Sequence, residues 1–165
     1  MDVTFYRQQG SAADGYDLEP KFGWAEVPKR SYDLVTAVYV VNVLPTLEDR
    51  LAAARSAAAK VRPGGYLLLV ARSESAIAKE AERGKWERVN DGWISNPHKG
   101  TFQKGIPHTE LAWLLGAVGM PICACRLKCS SDVAWILGRK GERRRLNKAS
   151  TARIFAAADA SRASP

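Results

Sequence analysis

Two apolar runs separated by a helix signal constrain the fold of this chain more than any other feature. Residues 32–41 and 66–71 are rich in Val, Leu and Tyr and carry one charge between them, Asp33. Such strands are typical of parallel sheets, in which central strands are buried on both faces. The connection between two parallel strands of one sheet is almost always right-handed. The sequence therefore predicts an α/β fold built around a strand–helix–strand crossover.

The segment between the two runs has the signals of an amphipathic helix. Thr46 followed by Asp49 is close to a capping box at a helix N-terminus. The sequence Arg-Pro-Gly-Gly at residues 62–65 predicts the end of the helix. Apolar residues recur at intervals of three and four between these signals, at Leu47, Leu51, Ala54, Ala58 and Val61.

The rest of the chain gives weaker predictions. The first thirty residues show no helical or strand periodicity and are predicted to be mostly irregular. Residues 85–107 predict a long loop or an irregular insertion, and loops of that length are often functional. Helices are expected at 75–83, with Ile77 and Ala81 inward, and at 107–119, with Leu111, Leu114, Leu115 and Val118 inward. An antiparallel hairpin is expected from residues 122–127 and 133–137.

Composition and cysteine spacing narrow the class of protein. A chain of 165 residues with 46% hydrophobic residues can form one globular domain. No apolar stretch approaches the roughly 20 residues of a membrane span, and the N-terminus does not resemble a signal peptide. We therefore expect a cytoplasmic protein that is not inserted in a membrane. The spacing of Cys123, Cys125 and Cys129 matches no common zinc site, so no metal is predicted.

The net charge of +8 is concentrated near the C-terminus. From Arg139 to Arg153 there are seven basic residues and one acid, which together account for +6. We divide the chain into a domain at residues 1–140 and a basic, alanine-rich tail at 141–165. Such a tail can be simply solvated, or it can bind phosphate backbones without sequence preference. Nucleic acid is thus a predicted partner through Arg139, Lys140, Arg143, Arg144 and Arg145.

The order of these segments resembles the class I S-adenosylmethionine-dependent methyltransferases. Residues 32–45 look like that family's fourth strand and the turn after it, and residues 62–67 like the entry to its fifth strand. Residues 99–105 look like a recurring loop of a bacterial and phage-type subgroup. The resemblance implies a Rossmann-like, mostly parallel sheet with a C-terminal antiparallel hairpin. It also implies S-adenosylmethionine as cofactor and methyl transfer to an unidentified acceptor.

The resemblance assigns cofactor-binding residues as well. Asp17, preceded by Tyr16, falls at the end of the family's second strand, where an acid binds the ribose hydroxyls; a turn residue is the alternative. Tyr39 and Asn42 fall at the carboxyl end of the fourth strand, where open α/β sheets bind ligands. Alternatively, Tyr39 belongs to the core and Asn42 only turns the chain. Arg72 has a similar position after the fifth strand, or is an exposed charge.

One family motif is absent from this sequence. The family's first strand ends in a Gly-x-Gly-x-Gly-type loop that lets the backbone approach the cofactor, and no such loop occurs here. We therefore expect the N-terminal strand to be missing or degenerate. Three explanations are open: a non-catalytic binding module, a truncated or split enzyme, and a subunit that completes its site by association. An unpaired apolar strand edge would favour a homo-oligomer or a complementing chain.

Overall fold

The computed structural model describes residues 3–17, 26–123 and 132–142. Its helices are α1 (Val3–Gln8), α2 (Leu47–Ala59), α3 (Glu74–Gly84) and α4 (His108–Ala117). Its strands are β1 (Tyr32–Val38), β2 (Val61–Arg72), β3 (Glu87–Val89), β4 (Gly92–Asn96), β5 (Thr101–Gln103) and β6 (Val133–Arg139). Within these ranges, no helix combines the length and the apolar character that crossing a membrane requires.

The larger sheet has the strand order β1-β2-β6 and contains the predicted crossover. β1 and β2 are parallel, with Leu34 beside Tyr66, and α2 connects them. β6 lies on the other side of β2 and runs antiparallel to it. The predicted parallel pair and the antiparallel C-terminal strand are confirmed. The first arm of the predicted hairpin, residues 122–127, is described only in part. Ile122 forms an antiparallel bridge with Gly138, and residues 124–127 lie outside the described residues.

The core lies on one face of this sheet, under α2 and α4. The sheet contributes Leu67, Leu69, Ala71 and Ala134, and the helices contribute Ala54, Ala58, Leu111, Leu114 and Leu115. Burying one leucine side chain of this kind stabilises the fold by about 2 kcal/mol. The predicted inward faces of α2 and α4 therefore pack on the sheet, except that Leu47, at the start of α2, is 45% exposed and its predicted inward position is wrong.

The prediction that both strands are buried on both faces is wrong. β1 lies at the edge of the sheet, and Ala37 is the one residue in it that is fully buried. Leu34 keeps 45% of its surface exposed. Along β2, buried residues alternate with partly accessible ones, because α2 and α4 cover the same face. Apolar composition alone does not distinguish a central strand from an edge strand.

α2 begins where the sequence predicts and ends earlier. The Thr46 hydroxyl accepts a hydrogen bond from the Asp49 amide at 3.0 Å, as expected of an N-terminal cap. The last helical residue is Ala59, and the Arg-Pro-Gly-Gly segment belongs to β2 instead. A Cβ at Gly65 would lie 2.8 Å from the carbonyl oxygen of Asp33. This glycine therefore permits close strand approach and does not stop the helix.

Both helices after β2 agree with the sequence. α3 begins after Ser73, whose side chain accepts a hydrogen bond from the Ala76 amide at 3.2 Å. It buries the predicted Ile77 and Ala81. α4 ends just before Gly119, which has a φ of +68° as expected of a residue that stops a helix.

The prediction of an irregular loop between α3 and α4 is wrong. β3, β4 and β5 form a small antiparallel sheet there. Val89 pairs with Gly92 across a two-residue turn, and Asn90 in that turn has a φ of +54°. Asn adopts this left-handed conformation more readily than most residues, so Asn90 suits a two-residue hairpin turn. Strands of three to five residues are too short for their alternation to stand out in the sequence.

The N-terminal segment differs from the expectation in two ways. A short helix, α1, occupies residues predicted to be irregular. No strand precedes β1 among the described residues, so the strand expected to end at Asp17 is not found. Instead, Asp14 accepts hydrogen bonds from Arg30 at 2.7 Å and from the Tyr32 hydroxyl. These contacts hold the segment at the amino end of β1, and its small residues are poor strand formers.

The segment after β5 packs closely against the start of α3 at Gly105, and Gly105→Ala tests this contact. A Cβ there would lie 2.3 Å from the Glu74 Cα and 2.7 Å from the Ser73 carbonyl oxygen. Because both neighbours are backbone atoms, we expect Gly105→Ala to lower the free energy of unfolding by about 2 kcal/mol or more. Urea denaturation measures this change.

Gly116→Ala is the matched control for Gly105→Ala. An added Cβ at Gly116 in α4 would meet nothing within 4 Å. The control should therefore be stabilised by about 0.5–1 kcal/mol through helix propensity. If both variants had the same stability, the close packing at Gly105 would be contradicted.

Candidate functional site

The carboxyl ends of the parallel strands β1 and β2 meet at one edge of the larger sheet. Open α/β sheets bind ligands outside this edge. Tyr39 directly follows β1, Arg72 ends β2, and Asn42 lies in a 3-10 turn at Val41–Val43. The structure thus brings three of the residues predicted from the sequence to the same edge.

Tyr39 has an unusual backbone conformation for its residue type. Its φ is +58°, and its amide donates a hydrogen bond to the Val70 carbonyl oxygen at 2.8 Å. A non-glycine residue pays roughly 1–2 kcal/mol for the left-handed conformation, and such strain is concentrated at functional positions. The side chain is 44% exposed, so Tyr39 is not part of the core.

Arg72 is fixed beside Tyr39 by an ion pair. Its guanidinium donates a hydrogen bond to Glu80 in α3 at 2.7 Å. This bond is the main cause that raises the pKa of Arg72; burial acts in the opposite direction, and the negative charges of Glu80 and Asp132 add to the rise. The same bond is the main cause that lowers the pKa of Glu80. Arg72 is therefore ion-paired, and the alternative that it is a freely exposed charge is wrong.

Asn42 is the most deeply buried of the predicted site residues. It is 2% exposed, and its side-chain nitrogen donates a hydrogen bond to Gln103 Oε1 at 3.1 Å. Its Oδ1 atom is buried and has no hydrogen-bond partner among the described residues. A buried acceptor left unpaired costs about 1–3 kcal/mol. Asn42 thus does more than turn the chain after β1.

Backbone hydrogen bonds fasten the segment after β5 to this edge. The Lys104 amide donates to the Asn42 carbonyl oxygen at 2.8 Å, and the Ile106 amide donates to the Arg72 carbonyl oxygen at 2.9 Å. The two bonds reach the turn after β1 and the last residue of β2. The small antiparallel sheet is consequently held against the edge of the larger one.

A cluster of four charged residues reinforces this attachment, and no sequence motif marks it; Arg50, Lys104 and Glu110 are largely buried, and Asp91 is 44% exposed. Arg50 in α2 is 1% exposed and donates hydrogen bonds to the Leu44 carbonyl oxygen at 2.9 Å and to Asp91 at 2.6 Å. Its Nε atom lies 2.8 Å from Glu110 Oε1, although neither atom completes a well-aligned hydrogen bond. Lys104 donates to Asp91 at 2.6 Å and to Glu110 at 2.5 Å.

The helical spacing of α2 could have revealed Arg50. It lies three residues after Leu47 and four before Ala54, so it falls on the predicted inward stripe. A charged residue in that position is either exposed at the margin or paired inside the fold. The paired arrangement holds here, and its partners come from the β3–β4 turn and from α4.

The edge provides one wall of a site and does not enclose it. The cavity beside Arg72 has a volume of about 240 Å³, and the cavity over the charged cluster has a volume of about 330 Å³. Ligand pockets usually range from about 300 to 1,000 Å³. Within the described ranges, no three potential metal ligands lie together. The available groups can position a polar ligand through an aromatic ring, an amide oxygen and a guanidinium.

Tyr16 and Asp17 lie in the N-terminal segment that precedes β1. Both are exposed and lie in an irregular segment. Three residues earlier, Asp14 fixes that segment to Tyr32, at the opposite end of β1 from Tyr39. A ribose-binding role for Asp17 stays a prediction from the resemblance.

The predicted nucleic-acid contacts are only partly described. Lys140 donates hydrogen bonds to the carbonyl oxygens of Val61 at 2.7 Å and Ala58 at 2.9 Å, so its ammonium closes the end of α2. Arg139 keeps half of its side chain exposed. Nucleic-acid binding through this region stays a prediction. Three of the predicted contacts lie outside the described residues, namely Arg143, Arg144 and Arg145.

Substitution of Arg50 tests the charged cluster directly. Arg50→Met leaves two carboxylates with one cation in a largely buried place, and breaking a buried pair in this way costs about 3–5 kcal/mol. We expect a loss of that size in urea denaturation. Arg55→Met is the control, because Arg55 is an exposed residue of the same helix and should change stability little. Equal stabilities would show that the cluster does not hold the fold.

Asp91 links the stability of the cluster to pH. Burial raises the pKa of its carboxyl, but hydrogen bonds from Lys104 and Arg50 and their charges outweigh burial, so the pKa is lowered. A carboxyl with a lowered pKa stabilises the folded state above its unfolded-state pKa, and this contribution is lost as pH falls through the folded-state value. We expect the stability advantage of the wild type over Asp91→Asn to shrink below about pH 4. Urea unfolding over a pH series measures it, and a constant difference would contradict the linkage.

Comparison with known proteins identifies the fold. No protein-family model matches the sequence, and no curated protein matches it. A solved S-adenosylmethionine-dependent methyltransferase from Clostridium acetobutylicum ATCC 824 is similar with a TM-score of 0.54 and 11% identity, over 84% of this chain and 69% of that one. The S-adenosylmethionine-dependent methyltransferase SibL has a TM-score of 0.54 and 13% identity, over 72% of this chain.

The chain spans only part of the length of several similar structures. It covers 33% of SibL and 64% of a methyltransferase from Methanosarcina mazei. At these sequence identities the likeness defines the fold and nothing finer. This chain has the Rossmann-like fold of the S-adenosylmethionine-dependent methyltransferases.

Proposed function

We propose that this chain is a methyltransferase domain that binds S-adenosylmethionine at the carboxyl edge of β1 and β2. One observation carries the proposal: Tyr39, Asn42 and Arg72 meet at the ligand-binding edge of a methyltransferase-type sheet. The methyl acceptor is unidentified.

The chemistry of the two residues after β1 supports cofactor binding. The half-exposed ring of Tyr39 can form an aromatic wall for an adenine or for a sulfonium group. The unpartnered Oδ1 of Asn42 can accept a hydrogen bond from an amino or hydroxyl group of the ligand. Gln103 holds the other side of the Asn42 amide, so the acceptor is already oriented. A ligand donor at this position would replace an unpaired buried atom with a paired one.

Positioning is the main requirement of the proposed reaction. S-adenosylmethionine, when bound, supplies a methyl group that is activated for in-line transfer to a nucleophile. Alignment of the two reactants accounts for much of the rate in such a step, so a dedicated general base is not required. We assign the acceptor side of the site to the small antiparallel sheet, because the segment after β5 is hydrogen-bonded to the turn after β1 and to the last residue of β2.

By resemblance, Tyr16 and Asp17 complete the cofactor contacts on the ribose side. A carboxylate can accept hydrogen bonds from both vicinal hydroxyls of a ribose. This role requires residues 15–17 to reach the carboxyl edge, although the segment is anchored at the amino end of β1. The contribution of Asp17 is therefore a separate question from that of Tyr39.

A second candidate is a non-catalytic module, or a subunit whose cofactor site is completed by another chain. The sequence has no Gly-x-Gly-x-Gly loop. Within the described residues, no strand lies on the outer side of β1, and neither of the two cavities described above is lined by Tyr39 or Asn42. These features favour an incomplete site in the isolated chain.

Calorimetric titration with S-adenosylmethionine and S-adenosylhomocysteine tests the two candidates. If the chain forms the site, Tyr39→Ala should weaken binding by about tenfold, which corresponds to 1.4 kcal/mol. Asn42→Leu should weaken it by a similar factor, since it removes the buried acceptor. Asp17→Ala reports on the ribose contact separately.

Tyr66→Ala is the matched control for Tyr39→Ala. Tyr66 is 38% exposed and lies six residues before Arg72, paired with Leu34 near the amino end of β1. Its removal should leave cofactor affinity unchanged. Absence of binding to the wild-type chain would rule out a self-contained methyltransferase and leave the second candidate.

A further inference from the structure

We infer that β1 is an association edge, which pairs antiparallel with β1 of a second copy of this chain around a two-fold axis at Thr36. The inference concerns assembly and is independent of the proposed function. It rests on the hydrogen-bonding pattern of β1, on the residues of its outer edge, and on the pairs that two-fold symmetry would create.

The outer edge of β1 presents backbone groups at alternate residues. The Tyr39 amide donates to β2, and β1 residues two apart share a direction in a parallel pair. Val35 and Ala37 therefore bond towards β2. The amide and carbonyl groups of Leu34, Thr36 and Val38 point to the other side, where no described strand pairs with them.

From Leu34 to Val38 this edge lacks the devices that keep edge strands apart, and the irregularity in the pairing of β1 with β2 lies before it, between Tyr32 and Leu34. Exposed edges are usually protected by Lys, by Pro, by a bulge or by an inward-pointing charge. From Leu34 to Val43, β1 and the residues after it contain neither a charged residue nor a proline. The Asp33 carboxylate, at the start of the strand, is already paired with Arg62. The charge nearest to the edge is thus neutralised within the chain.

The surface around the edge is apolar as well. Leu34 is 45% exposed at one end of β1, and Tyr39 and Val40 are 44% and 39% exposed at the other. Side chains of this kind are enriched where proteins associate. Association through the edge would remove part of this apolar surface from water.

A two-fold axis at Thr36 gives a register without conflicts. Thr36 would face its counterpart, and Leu34 would face Val38 of the second copy. The outward-pointing groups form complete hydrogen-bonded pairs in this register, with about six bonds between the copies. No like charges face each other, and a Thr–Thr pair is favourable in antiparallel sheets. The two larger sheets would become one sheet of six strands.

Charge substitution at the axis tests the pairing in the full chain. Light scattering coupled to size-exclusion chromatography should give a mass of twice 18.1 kDa for the wild type at high concentration. Thr36→Lys and Thr36→Glu should each be monomeric, because like charges would face each other across the axis. An equimolar mixture of the two variants should restore the dimer. Thr109→Lys, at an exposed threonine of α4, is the matched control and should remain dimeric.

Amide hydrogen exchange on the wild type gives a second test that needs no variant. Raising the protein concentration should slow exchange at Leu34, Thr36 and Val38 by roughly tenfold, and leave Val35 and Ala37 unchanged. A monomeric wild type, a dimer unaffected by either charge at position 36, or uniform exchange along β1 would each overturn the inference. A dimer lost only when residues after Glu142 are removed would assign association to the tail instead.

Discussion

Arg50 places a positive charge in the interior between α2, α4 and the β3–β4 turn. The position of the small sheet depends on the carboxylates that pair with this charge. A buried ion without partners costs several kcal/mol, so the surrounding chain must provide them. Asp91 and Glu110 do so, and Lys104 balances the second carboxylate. The small sheet cannot move away from α2 without separating these charges. Lys104 belongs to this cluster, and the residue before it, Gln103, accepts the hydrogen bond from the Asn42 side-chain nitrogen. The cluster therefore also helps to orient the Asn42 amide.

The sequence predicted the elements near the site well because their signals are local. The capped start of α2, the buried face of α3 and the glycine after α4 each depend on residues a few positions apart. The position of Tyr39 and Asn42 after a parallel strand followed from the same reasoning. Periodicity and capping thus gave the crossover and one edge of the site.

What the sequence could not give depends on contacts between distant segments. The edge position of β1 reflects the absence of a neighbour among the described residues, and its composition does not encode that. The partners of Arg50 lie about 41 to 60 residues away, so no spacing rule connects them. The close approach of Gly65 to Asp33 was hidden for the same reason, since Pro-Gly-Gly is also a common helix stop. Sequence and structure therefore differ where tertiary contacts override local preference.

The pairing of β2 with β6 has a consequence for the order in which the chain folds. It joins Leu69 to Ile136, whereas the crossover and the β3–β4 hairpin join residues much closer in sequence. Contacts between distant residues form late, because the entropy of closing a long loop is lost before the contact is gained. During synthesis, the crossover can form once β2 has emerged, and the hairpin once β4 has emerged. β6 emerges last of the described strands, so in a nascent chain β2 has an unpaired edge until then.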